Sequence, residues 1–148
     1  MEWSPIAKPA AALLRAPNLA DYDEARRTFD WDRARGELAG LPGGGLNIAH
    51  EAVFRHAEGA AADRVAIRFL AQGAAPQPCT YRELATDARR VANVLVSLGV
   101  KRGERVATLM GRIPPLYATV IGTLAAGAVY CPMFSAFGQG IRNEISSM

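Results

Sequence analysis

The side chains of this sequence best suited to binding a metal or attacking a carbonyl are His50, His56, Cys79 and Cys131, and their spacing supports neither use. The two histidines stand six residues apart, which on a helix puts them on different faces. Two metal ligands on one face of a helix would sit three or four residues apart. They read as surface histidines. Two cysteines make neither a four-ligand metal site nor a disulfide framework, and they read as free thiols. The triplet Gly43-Gly44-Gly45 precedes a helical pattern, as a phosphate-cradling loop does. No strand feeds it and no Lys-Ser or Lys-Thr comes after it, so it reads as a linker. The sequence contains no Gly-x-Ser-x-Gly nucleophile turn, dinucleotide fingerprint or Walker sequence. Spacing alone therefore assigns no complete catalytic set and no metal ligand.

Composition narrows the class further. The 148 residues are the length of one ordinary domain, and 50% hydrophobic content with 21% charged residues excludes disorder throughout. The net charge of +3 is modest. Acids and arginines alternate in stretches such as Asp32-Arg33-Ala34-Arg35-Gly36-Glu37, so no basic stripe marks a nucleic-acid surface. The start Met1-Glu2-Trp3-Ser4-Pro5 lacks the basic opening of a signal peptide, and no export is expected. The run from Ile113 to Ile141 carries no formal charge and has the length of a membrane span. Pro114, Pro115, Gly127, Pro132 and Gly138 divide it, which predicts buried elements of a cytoplasmic protein that contacts no membrane.

The elements that would position any site can be read from periodicity. Residues 1–46, with prolines at 5, 9, 17 and 42, read as an irregular leader holding one short helix from Asp21 to Leu38, in which Asp23 and Arg27 can pair. Residues 47–148 read as an α/β domain. Asn47 suits the cap of a helix running through Glu58, with Glu51 four residues before Arg55. Val65, Ile67 and Phe69 alternate as in a strand with one buried face, and the stretch from Gln72 to Pro78 reads as a turn.

Thr80 and Glu83 fit a capping box, so a helix begins at Tyr81. Its stripe of Leu84, Ala88, Val91, Leu95 and Leu98 ends at Gly99. The run Val106 to Met110 predicts a strand buried on both faces. Pro114 and Pro115 suit the first turn of a helix that is apolar nearly all round from Leu116 to Ala126. Gly122 within it predicts close packing, Gly127 its end, and Ala128 to Met133 a third strand. Helices alternating with strands predict crossovers onto a mainly parallel sheet.

The ordered series Thr80-Tyr81-Arg82-Glu83-Leu84, Ala92-Asn93-Val94-Leu95, Leu98-Gly99-Val100, Gly103-Glu104-Arg105-Val106-Ala107 and Gly127-Ala128-Val129-Tyr130 resembles the N-terminal region of the acyl-adenylate-forming (AMP-binding) ligases. Phe29-x-Trp31 and Asn47-Ile48-Ala49 with Glu51-Ala52-Val53 resemble more narrowly the acetyl-CoA synthetase branch, so that the resemblance runs from about residue 29 to Phe137. It implies the N-terminal part of the family's large domain, mainly parallel strands alternating with helices. It also implies a fragment: the phosphate loop, the ribose-binding Asp and the catalytic Lys of such ligases correspond to no residue here.

The family reaction joins a carboxylate to ATP, releasing pyrophosphate, and passes the acyl group to CoA. ATP, Mg and CoA therefore belong to the full-length family, and none is expected to bind tightly to these residues alone. One local element carries over, Phe134-Ser135-Ala136-Phe137, where acetyl-CoA synthetases have an aromatic-Gly-Gly-aromatic loop touching the CoA nucleotide. Phe134, Ser135 and Ala136 are thereby candidate CoA contacts, with Ser135 and Ala136 in place of the glycines. The expectation is an enzyme fragment inactive by itself, acting with small-molecule substrates once whole and prone to self-association alone. The rival is a stand-alone, non-catalytic α/β interaction module.

Overall fold

The computed structural model describes residues 19–133. The backbone parts into two compact units between Leu38 and Ala39. In the first, Asp21 caps α1 (Tyr22–Arg27) by accepting from the Glu24 amide, and Asp30 caps α2 (Trp31–Gly36) by accepting from the Asp32 amide. The single helix expected from Asp21 to Leu38 is thus two. Asp30 offers the backbone a second helix start, and Asx side chains compete with the helical ladder where they fall inside it. Arg27 pairs with Glu24 rather than Asp23. The Phe29 and Trp31 rings meet edge to face at 4.9 Å, and both are largely exposed.

In the second unit, the Asn47 carboxamide oxygen accepts from the amides of Ala49 (2.9 Å) and His50 (3.3 Å), the cap that the sequence predicts. The chain then makes a π-helical turn, His50–Phe54, and runs on into α3 (Arg55–Ala57). Glu51 pairs with Arg55 at 2.8 Å and accepts from the Ala39 and Gly40 amides. Those amides, with Arg55, hold its carboxyl below the ordinary value.

Strand β1 (Val65–Phe69) pairs antiparallel with β2 (Gln77–Thr80), with Ile67 opposite Cys79 and Phe69 opposite Gln77. The expected turn is therefore shorter than Gln72 to Pro78. The last residues of that stretch form a strand because β1 offers them an open edge, and Pro78, which has no amide to donate, is tolerated on an edge strand. The described residues are α/β as expected, but one of the two ladders among them is an antiparallel hairpin.

Helix α4 (Tyr81–Ser97) starts where the capping box places it. Its first free amides are all met: Tyr81 donates to the Arg64 carbonyl, Arg82 to the Ala62 carbonyl, and Glu83 to the Thr80 hydroxyl at 3.2 Å. In return Glu83 accepts from the Thr80 amide at 2.8 Å and from its hydroxyl at 2.9 Å, and these bonds hold the Glu83 carboxyl below its ordinary value. A carboxylate whose folded pKa is lowered stabilises the fold above the unfolded Glu value of about 4.3, and that stability is lost as pH falls through the folded value. Urea midpoints should therefore drop more steeply below about pH 4.5 in the parent chain than in Glu83→Gln. Equal acid slopes in the two proteins would show that the capping carboxylate does not contribute.

The stripe on α4 is buried at Leu84 and Ala88, half-buried at Val91 and Leu95, and open at Leu98. Gly99 ends the helix at φ +86°, a conformation that disfavours any side chain. Strand β3 (Arg105–Leu109) leads into α5 (Pro114–Ala125), which crosses to β4 (Val129–Met133), parallel to β3. Only alternate residues of β3, Val106 and Thr108, are shielded, so the expected burial on both faces is not met among the described residues. A two-stranded ladder with one helical layer covers one face. For the same reason α5 is fully buried at Ala118, Gly122 and Thr123 and half-buried along most of the rest. Its packing against α4 runs over Gly122, where a Cβ would stand 2.6 Å from the Ala88 carbonyl oxygen. The core gathers Val53, Ala57, Leu84 and Ala85, with Ile67, Tyr81 and Ile121 packed against it.

Candidate functional site

Parallel strands deliver their C-terminal ends to one edge of a sheet, and in α/β folds that edge is where ligands bind. Here the register sets Thr108 opposite Pro132 and Leu109 opposite Met133. The loop from Met110 to Ile113 consequently leaves the ladder beside the C-terminal end of β4 at Met133. Between them lies a cleft of about 360 Å³ lined by Thr108, Met110, Arg112, Leu116, Tyr130 and Met133, among others. The Thr108 and Tyr130 hydroxyls bond to each other across the two strands at 2.7 Å. Among the described residues of the lining Arg112 is the one that carries a charge.

Of the sequence-derived candidates, Phe134, Ser135 and Ala136 lie outside the described residues, directly beyond Met133. The other chemistry-bearing residues stay apart. His50 and His56 are half-buried rather than on the surface, and the His56 ring lies 5.2 Å from that of Tyr81. Packing on the capped first turn of α4 shields His56. Cys79 sits half-buried beside the core, where burial pushes its thiol up, and it is a free thiol, as is Cys131. Gly43 and Gly44 take positive φ in a turn closed by bonds between Leu41 and Gly45 and between Gly44 and Leu41. Among the described residues no group of three His, Cys, Asp or Glu could hold a metal ion, and no helix is long and apolar enough to cross a membrane. Sequence reading missed Thr108, Arg112 and Tyr130. The signal for them was positional: they stand on or just after a strand whose neighbour is parallel.

The architecture is that of an N-terminal part of an adenylate-forming ligase domain. Residues 53–145 match the model of the AMP-binding enzyme family, and the chain belongs to that family. Its relatives include the acetyl-coenzyme A synthetase of Bacillus subtilis, 36% identical over 124 residues that make up 83% of this chain and 22% of that protein. The acetyl-coenzyme A synthetase of Methanothrix thermoacetophila is 37% identical over 136 residues, covering 84% of this chain and 21% of its own. Among solved structures, an acyl-CoA synthetase from Brucella canis superposes with a TM-score of 0.72 at 36% identity, over 84% of this chain and 23% of that one. Acetoacetyl-CoA synthetase from Streptomyces lividans gives 0.61 at 29% identity, over 68% and 16%. The chain spans about a fifth of the length of the curated relatives it matches.

Proposed function

We propose that this chain is the N-terminal part of an acetyl-CoA synthetase-like ligase of the cytoplasm, with residues 1–46 as its leader and residues 47–148 as the opening portion of its large domain. The whole enzyme would convert a carboxylate and ATP to an acyl-adenylate and pyrophosphate. The CoA thiol would then attack the acyl carbon, and AMP would leave. The observation that carries this reading is the match to acetyl-coenzyme A synthetases over more than four-fifths of the chain.

The groups with which the family holds a triphosphate and its Mg²⁺, its phosphate loop and catalytic Lys, match no residue of this sequence. In this reading ATP and Mg are held by the remainder of the enzyme, and this chain supplies one wall of the CoA approach.

A hybrid tests the assignment. Joined to the part of the Bacillus subtilis enzyme that lies beyond the matched region, residues 1–148 should restore acetate-dependent ATP–pyrophosphate exchange, while the 148-residue chain alone should give none above blank. In that hybrid Phe134→Ala should raise the KM for CoA and spare adenylate formation. A folded hybrid without exchange, or exchange by the chain alone, would overturn the proposal.

A further inference from the structure

The cleft at the end of β3 and β4 has one feature that the family assignment leaves unused. Arg112 enters no hydrogen bond or ion pair among the described residues, although it lines a concave surface. It also stands just before α5, whose start would ordinarily offer backbone amides to an anion. Here that supply is withdrawn. Pro114 and Pro115, the first two residues of the helix, carry no N–H, and the Leu116 amide is taken by the Ile113 carbonyl at 3.0 Å. An anion arriving at this edge has to be met by side chains.

Two kinds of donor remain. One is the guanidinium of Arg112. The other is the Thr108–Tyr130 pair, in which a single hydrogen bridges the two oxygens, so that the second hydroxyl hydrogen is free for a ligand. Met110, Leu116 and Met133 complete the lining with apolar surface. A cation and a hydroxyl beside thioether and aliphatic walls suit a phosphate carried on an uncharged arm. They do not suit a bare polyphosphate, which would need several cations or a metal.

Resting on the proposed function, we infer that Arg112 binds a phosphate of CoA, with the apolar wall of the cleft taking the adjoining arm. Arg112 is a binding residue of the thiol-transfer step, and the Thr108–Tyr130 pair supplies its second donor.

The test compares CoA with pantetheine, which has the thiol and the arm but no phosphate. Titrated into the hybrid with its residues 1–148 labelled with nitrogen-15, CoA should shift the Arg112 Nε–H resonance and pantetheine should not. A shift with both or with neither would overturn the inference. In the hybrid, Arg112→Gln should raise the KM for CoA about tenfold, the loss expected for one charge-assisted contact near the surface, while Arg112→Lys recovers part of it. The KM for pantetheine should change less than twofold. An equal rise for both thiols would mark Arg112 as structural, and no rise for CoA would exclude the contact. Should the unsubstituted hybrid lack exchange, the proposed function falls, whereas Arg112 is still decided by the titration.

Discussion

Gly122→Val should separate α4 from α5 and cost more than about 3 kcal/mol, beyond the usual range of overpacking because the obstacle is main chain. A Cβ at this position would lie 2.6 Å from the Ala88 carbonyl oxygen and 2.7 and 2.8 Å from Cβ and Cγ1 of Val91. Val91 could turn its γ carbons away, but neither its Cβ nor the Ala88 carbonyl can move without shifting α4 itself. Alanine at 122 gains helix propensity of about 1 kcal/mol over glycine, yet meets the same carbonyl, so Gly122→Ala should also destabilise. Far-UV circular dichroism across a urea series reads the effect. Gly111→Ala, where an added Cβ meets nothing within 4 Å, should leave the curve in place. An unchanged curve for Gly122→Val would mean that the two helices are not packed at this contact.

The isolated chain should self-associate or bind the dye ANS as a loose monomer. Both of its sheets have two strands, so among the described residues each strand shows an unpaired edge, an arrangement that is marginal in water and invites pairing with another chain. The faces beside those edges are apolar. Leu109 and Val129 are exposed on the parallel ladder, and Val94, Val96 and Leu98 along α4, with Leu98 75% exposed. Contiguous apolar surface beyond a few hundred Å² is uncommon on stable monomers. Sedimentation should show species heavier than monomer that grow with concentration, and co-expression with the remainder of a ligase should suppress them. A compact monomer with a cooperative thermal transition and no ANS binding would contradict this and favour the stand-alone module.

The sequence alone determined whatever a few neighbouring residues decide. Thr80 and Glu83 cap α4 because the two side chains and two amides of a capping box lie within one turn. Pro114 and Pro115 open α5, and Gly99 and Gly127 close helices at positive φ, for equally local reasons. The cap at Asn47 was also legible, since its carboxamide and the amides of Ala49 and His50 lie within one turn. So was the family, because the order of short motifs along the chain is itself sequence.

Tertiary structure decided the rest. Strand β2 exists because β1 lies beside it, and nothing in Gln77-Pro78-Cys79-Thr80 announces a strand without that edge. Whether β3 is covered on one face or two depends on how many helices lie over the ladder, which no run of apolar residues encodes. The cleft is the clearest case. Thr108 and Tyr130 are 22 residues apart, and only the parallel register brings their hydroxyls to 2.7 Å with Arg112 at the same edge. Side chains converge there through strand pairing and the α5 crossover, long-range contacts whose partners are set by the burial of whole elements and not by the residues that meet.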